Sequence, residues 1–444
     1  RGRGGRGPRG DPFRTIILGH AVVTHVDSSL EALPPILWAS RTFLLHQNLL
    51  LEYDAEERPG ECPSLSRKPC GFAHLEGCSA VPHADFATAL RLEFFETAER
   101  RRHRPRRTLL LRLASPEERD RWRDLILHAA RLTTDDLYQV GEELGRGRYA
   151  RVRRARRRAP GGDPGPLRAL KVIHKADFWR RVARGEERQD TLVRELLVQS
   201  HLTAHARGER RPDFVRLHGV FETEAHLVLE VDHARSRDLF QYVREREVLA
   251  EPHAAQIAGD VLRALAMLRK HGVAHRDLKL ANLILEERER RVAVWLSDFG
   301  MSAFVDGDGL LRGRCGTPGY VAPEILAAGV NSGYDPNVDI FSAGVVLYIM
   351  LCGYEPFYGE TDKQLIASNR RAEVEFHEGE WTDVSAEAKD LIRKMMEKDT
   401  TKRIQPQEAL KHSWIRKHAL MVTEDLDPAD HKTHDTPPIA CSIS

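Results

Sequence analysis

The stretch from Val273 to Gly300 constrains this chain more than any other. It contains His275-Arg276-Asp277-Leu278-Lys279-Leu280-Ala281-Asn282, and sixteen residues after Asn282 comes Asp298-Phe299-Gly300. An aspartate, a lysine and an asparagine within six positions, followed by a second aspartate, are the parts that phosphoryl transfer needs. Asp277 can take the proton from an attacking hydroxyl. Asn282 and Asp298 can hold Mg2+ on nucleotide phosphates, while Lys279 offsets charge on the transferred group. Upstream, Ile257, Val261, Ala264, Leu265 and Leu268 share one face of a helix that delivers this segment.

Leu144-Gly145-Arg146-Gly147-Arg148-Tyr149-Ala150-Arg151-Val152 reads as strand, turn, strand. Gly145 and Gly147 would let the backbone fold over a triphosphate, with Val152 covering the adenine. Together with the segment above, this loop resembles the protein kinase family. The resemblance implies a bilobal α+β domain, ATP and Mg2+ as cofactors, and serine or threonine hydroxyls of proteins as acceptors. It places Leu144 and Ala169 beside the nucleotide, and makes Lys171, nineteen residues after Val152, the lysine that grips the α- and β-phosphates. Glu195 is that lysine's carboxylate partner. His226 to Val231 becomes a buried strand leading to the adenine hinge, with Glu230 at the nucleotide and Leu229 as gatekeeper. Three positions depart from the pattern: Ala150 replaces its third glycine, Gln199 an apolar residue that stacks on Phe299, and Phe341 a tryptophan.

Gly316 to Glu324 reads Gly-Thr-Pro-Gly-Tyr-Val-Ala-Pro-Glu and is similar to the calcium/calmodulin-dependent kinase group. The resemblance brings Thr317 near Asp277, makes Arg403 the buried partner of Glu324, and covers residues 138–415. Lys279, two after Asp277, is the serine/threonine form. Asp238, just past the hinge, is a contact for a substrate arginine. Between Ala303 and Gly316 there is no serine, threonine or tyrosine. Arg276 would in the family receive a phosphate from this loop; here Asp306 and Asp308 are the available anions, so activity is expected without loop phosphorylation. Asp306-Gly307-Asp308-Gly309 is not a calcium loop, because its twelfth position is Thr317 and not glutamate.

Residues 13–132 alternate like a sheet. Leu90, Leu92 and Phe94 share one strand face, as do Leu109, Leu111 and Leu113, while Phe43, Leu45 and Leu49 to Tyr53 flank a turn at Gln47-Asn48. A helix follows, with Ser115 as cap, Pro116 at its first position, Glu118 completing a capping box, and Trp122, Leu125, Ile126 and Ala129 on one face. Strands closed by one C-terminal helix, with Trp38-x-x-Arg41-x-Phe43-x-Leu45 and His74-Leu75-Glu76-Gly77-Cys78, resemble a pleckstrin homology (PH) β-barrel. The resemblance implies targeting to a protein or to an anionic, phosphoinositide-bearing membrane. Arg41 fits such a site, but Ala39 stands where a second basic residue belongs. The Arg100 to Arg107 cluster is a further candidate for membrane charge. A PH domain directly before such a kinase is a layout similar to protein kinase D.

The remaining segments are a disordered Arg/Gly tract at 1–12, a linker at 133–137 and a flexible tail at 416–444. The chain opens on Arg1 and not methionine, as a cut end would. Against 68 Lys and Arg stand 66 Asp and Glu, a net charge of +2 that argues against nucleic acid as partner. No run is long enough to span a bilayer, and six scattered cysteines suit a reducing compartment, so a cytoplasmic protein with optional membrane recruitment is expected. The acidic tail has no basic amphipathic helix, and calmodulin binding is not expected. Cys441-Ser442-Ile443-Ser444 fits a prenylation box. The alternative function is a pseudokinase and PH adaptor that binds partners without transferring phosphate.

Overall fold

The computed structural model describes residues 16–26, 39–54, 70–94, 107–158, 164–206, 213–234, 237–288, 291–327 and 332–423. The Arg/Gly tract, residues 100–106 of the arginine cluster, Trp38 and the end with Cys441 lie outside the described residues. The chain forms two compact units, one of Arg1–Arg235 with Ser297–Phe304 and one of Ser236–Leu296 with Val305–Ser444.

The first unit begins with seven antiparallel strands: β1 (Ile16–Val26), β2 (Ala39–His46), β3 (Leu49–Asp54), β4 (Gly71–His74), β5 (Ser79–Pro82), β6 (Ala89–Phe94) and β7 (Arg107–Arg112). Their order is β4-β3-β2-β1-β7-β6-β5. Among the described residues β4 and β5 are the two edges and do not pair, so the expected barrel is an open sheet over these residues. The turn at Gln47-Asn48 forms as its sequence predicts, with Gln47 at φ 53. Helix α1 (Pro116–Ala129) starts where Ser115 accepts from the Glu118 N–H at 3.2 Å. The return bond from Glu118 goes to the N–H of Ala114 (3.1 Å) and not to that of Ser115, so the capping box is displaced by one residue. Trp122, Ile126 and Ala129 fill the hollow of the sheet against Phe43, Leu90, Leu92, Leu109, Leu111 and Leu113. Phe43 meets Trp122 edge to face at 5.9 Å.

A short helix α2 (Thr134–Leu137) leads into a second sheet of β8 (Tyr138–Arg146), β9 (Ala150–Arg158), β10 (Pro164–His174), β11 (Leu217–Glu222) and β12 (His226–Asp232). Its order is β11-β12-β10-β9-β8, and α3 (Lys175–Ala183) and α4 (Thr191–His205) sit between β10 and β11 in the chain. Leu137, Tyr138, Ala155, Leu170, Phe221 and Val228 form one core on this sheet.

The second unit is helical. It contains α5 (Leu239–Arg246), α6 (Glu251–Lys270), the short strand β13 (Val273–Ala274), the hairpin β14 (Leu283–Arg288) and β15 (Arg291–Leu296), then α7 (Pro323–Ala327), α8 (Val338–Cys352), α9 (Asp362–Arg371), α10 (Ala386–Met395), α11 (Pro406–Ala409) and α12 (Ser413–Thr423). Ile257, Val261, Ala264, Leu265 and Leu268 of α6 are all buried. Helix α8 is buried all round, as befits the axis of a helical lobe. No helix among the described residues is long and apolar enough to cross a membrane.

His46, at the end of β2, is buried, and desolvation first, with Arg157 adding to it and Glu230 opposing, holds its imidazole down at about 4. An unfolded histidine takes up a proton near pH 6.5, so between about pH 6.5 and 4 the unfolded chain binds more protons and stability falls as pH is lowered. The loss at pH 5 is about 2 kcal/mol. The drop in Tm between pH 7.5 and pH 5 should therefore shrink in His46→Gln, as read by thermal melting.

Candidate active site

Two groups of side chains carry the chemistry read from the sequence, one in each unit. In the first, Lys171 comes from the middle of β10, opposite Val152 on β9 and Leu229 on β12. Its ammonium donates to the carboxylate of Glu195 and, at 3.2 Å, to that of Asp298. Glu195 projects from α4 and is only 2% exposed. Burial works against the Lys171 cation, but Asp298 and Glu195 outweigh it and hold the ammonium well above its ordinary range. The lysine is a fixed positive charge.

Phe299 is buried and meets Phe214 edge to face at 6.2 Å. Gln199 is buried too, and its amide donates to the Val215 carbonyl at 2.9 Å. The apolar contact missing at position 199 is thus supplied by Phe214, which no sequence motif marks.

Among the nucleotide candidates, Val152 stands opposite Lys171, and Ala169, two residues before Lys171, shares its face of the sheet. Leu144 is exposed on β8. The Gly147 N–H donates to the Ala150 carbonyl at 2.7 Å and closes the turn between β8 and β9. A Cβ on Gly145 would meet nothing within 4 Å, so this glycine leaves room above the turn and is not needed to make it. Glu230 can serve a nucleotide through its backbone and not its side chain. It follows Leu229 and so faces the other side of the sheet, where its fully buried carboxylate accepts from the Tyr138 hydroxyl at 2.9 Å and pairs with Arg157 and Arg168. Only the backbone of Glu230 is left for a nucleotide.

In the helical unit, Asp277 is the centre. Lys279 Nζ donates to Asp277 Oδ2 and to Thr317 Oγ1, both at 2.8 Å, and the Thr317 hydroxyl donates to Asp277 Oδ1 at 2.6 Å. Asn282 directs its amide N–H to the Asp277 carbonyl (2.8 Å) and to Oδ2 (3.2 Å), which turns its amide oxygen away from Asp277. The backbone beneath is strained: Arg276 has φ 66, as Asp298 has φ 62 in the other motif. Asp339 on α8 holds it, its two oxygens accepting the N–H groups of His275 and Arg276 at 2.7 Å each.

The expected anions for Arg276 are elsewhere. Asp306 and Asp308 both pair with Arg312. Arg276 donates to the Arg312 carbonyl at 2.9 Å and to the Tyr334 hydroxyl at 3.2 Å, and that hydroxyl in turn donates to the Gly313 carbonyl at 2.8 Å. Tyr334 is fixed by backbone bonds exchanged with Leu311 at 2.9 Å. Tyr334 carries no family motif, so only the folded chain reveals its place. Asp238 caps α5 by accepting from the Gln241 N–H at 2.8 Å. Phe341 stacks on Phe357, and the guanidinium of Arg403 lies over its ring.

Residues 138–415 match the family described as "Protein kinase domain". The chain is 36% identical over 311 residues to rat calcium/calmodulin-dependent protein kinase type 1B, covering 68% of this chain and 84% of the relative. It is 38% identical to the human type 1B enzyme over 64% of this chain and 77% of the relative. With myosin light chain kinase A of Dictyostelium discoideum it shares 33% identity, over 64% and 89% of the two chains.

The Arg403–Glu324 pair anchors the segment after Thr317, with a guanidinium wholly removed from water. Glu324→Ala would leave that cation without its carboxylate at a cost of about 3–5 kcal/mol. Denaturant unfolding of the full chain should show a loss of that size, whereas exposed Glu373→Ala should lose almost nothing.

Proposed function

This chain belongs to the protein kinase family and is a serine/threonine protein kinase, and we propose that Asp277, Lys279 and Asn282 carry its phosphoryl transfer while Lys171, Glu195 and Asp298 hold the nucleotide. The observation that carries this reading is the carboxylate of Asp277, held from both sides by Lys279 and Thr317. A substrate hydroxyl arriving there gives its proton to Asp277, and the Lys279 ammonium beside it offsets the charge that builds on the transferred phosphoryl. Thr317 lies between base and lysine, which supports a serine or threonine acceptor. Lys171, kept charged by two carboxylates, is suited to nucleotide phosphates, with Val152 and Ala169 on the same sheet face for the base and Gly145 and Gly147 for close approach of the loop.

Protein kinases use ATP with Mg2+, which draws charge from the phosphates when bound. The donors offered here, the Asn282 amide oxygen and the half-exposed Asp298 carboxylate, are hard oxygens of the kind Mg2+ takes. Catalysis would then rest on positioning and charge more than on covalent chemistry.

We read the N-terminal sheet with α1 as a PH-like module, in a layout similar to protein kinase D. The antiparallel strands and the helix bearing Trp122 support that reading. Arg41 lies 3.3 Å from both Glu52 and Asp54, so the cation that a phosphoinositide would need is already engaged. Protein contact is therefore the role we assign the module. The relatives' names speak of calmodulin dependence; no such dependence is proposed for this chain, although α12 (Ser413–Thr423) runs into the segment expected to be a flexible tail from 416.

Asp277→Asn should lower transfer to a basic serine/threonine peptide about a thousandfold while ATP still binds. Equal activity in the variant and the parent would overturn the assignment of the base. The loop between Ala303 and Gly316 has no serine, threonine or tyrosine, which gives a second expectation, that phosphatase treatment leaves activity unchanged. Tyr334→Phe, which removes the hydrogen bonds of that hydroxyl with Arg276 and with the Gly313 carbonyl, each worth about 1 kcal/mol, should lower kcat about fivefold or more with KM for ATP unaltered.

A further inference from the structure

The turn between β2 and β3 does not end in solvent. Gln47 is 3% exposed and Asn48 is wholly buried, although both are polar residues at the tip of a hairpin. Buried amides need partners, and these find them on the kinase domain's strand-rich lobe. The Asn48 side chain accepts from the Glu222 N–H at 3.0 Å and donates to the Glu222 carbonyl, so one carboxamide satisfies both backbone groups of a residue on β11. Since β11 is an edge of its sheet, Asn48 occupies part of the place of a missing neighbour strand. Beside it, Glu76 accepts from the N–H of Glu224 at 2.6 Å.

Gln47 reaches further in. Its amide donates to the Tyr138 hydroxyl at 3.2 Å, and that hydroxyl donates to Glu230. Gly219 of β11 makes the approach possible, because a Cβ there would stand 2.5 Å from Gln47 Nε2 and 2.9 Å from Glu230 Oε2. Glu230 lies next to Leu229, which pairs with Lys171 across the sheet.

We propose that the β2–β3 turn is a built-in dock by which the N-terminal module closes the β11 edge of the kinase domain and, through Tyr138 and Glu230, sets the strand that leads to the nucleotide. The module is then a fixed part of the ATP-binding lobe and a determinant of nucleotide affinity. The second half of this statement rests on the reading of β12 given above; the first does not.

The test uses the full chain and two variants, Asn48→Ala from the module side and Gly219→Ala from the lobe side. Hydrogen–deuterium exchange needs no turnover, so it reads the dock whether or not the kinase assignment stands. In Asn48→Ala, the amide of Glu222 should exchange about tenfold faster or more, and Gly219→Ala should show the same change. KM for ATP should rise about three- to tenfold in both, with kcat held within about twofold. Unchanged exchange at Glu222 would overturn the dock. Faster exchange with an unchanged KM would overturn the link to the nucleotide. Should either variant fail to melt cooperatively, Glu76→Ala on the exposed rim reads the same edge through the amide of Glu224, where faster exchange supports the dock and unchanged exchange overturns it.

Discussion

A single carboxylate, that of Asp339, underlies the catalytic loop. It sits on α8, the helix with no solvent-facing side, and spends both oxygens on the backbone N–H groups of His275 and Arg276. Arg276 adopts a left-handed backbone that a side chain with a Cβ resists, at about 1 kcal/mol or more. Two hydrogen bonds donated to one buried carboxyl group are enough to hold it. With those residues fixed, Asp277 follows, and its carboxylate meets Lys279 and Thr317 without having to be steered there by substrate. Positioning of this kind lowers a barrier only when it is settled before the substrate arrives.

Charge in the strand-rich lobe is handled the opposite way. Lys171 is not held by backbone but by two carboxylates from different parts of the chain, Glu195 on α4 and Asp298 in the Asp-Phe-Gly motif. On the reverse face of the same sheet Glu230 gathers two arginines and a tyrosine. Alternation along β12 separates these networks: Leu229 faces with Lys171, and Glu230 faces away. A sheet one residue out of register would exchange them and bring an acid to the nucleotide side.

The difference between backbone alternation and motif spacing explains what was legible in advance. Asp277, Lys279, Asn282, Lys171, Glu195 and Asp298 stand in short motifs whose residue types admit few other uses; in the folded chain Lys171 meets Glu195 and Asp298, and Asp277 meets Lys279 and Asn282. The helical face of α6 and the core of α1 were legible for a simpler reason, since apolar periodicity alone reports a buried face. The side-chain partners of Glu230 were not legible, because a motif gives the position and not the face. Tyr334, Phe214 and Asn48 were missed because their partners lie tens of residues away and nothing local marks them. Asp306 and Asp308 were expected to meet Arg276; Arg312, four and six residues on, competes for both at lower entropic cost than a partner 30 residues off.

Two departures from the family pattern, at Gln199 and Phe341, are met by a neighbour and not by loss of the contact. Gln199 cannot stack, yet its amide binds a carbonyl and Phe214 covers Phe299. Phe341 is smaller than tryptophan, and Phe357 and the Arg403 guanidinium pack on its ring. Asp306 and Asp308 pair with Arg312, and Arg276 donates to a carbonyl and to a tyrosine hydroxyl. A neutral oxygen attracts a guanidinium less strongly than phosphate does, but it is present from the moment the chain folds. At the lobe edge on β11, Asn48 and Glu76 satisfy backbone groups that the strand would otherwise leave open.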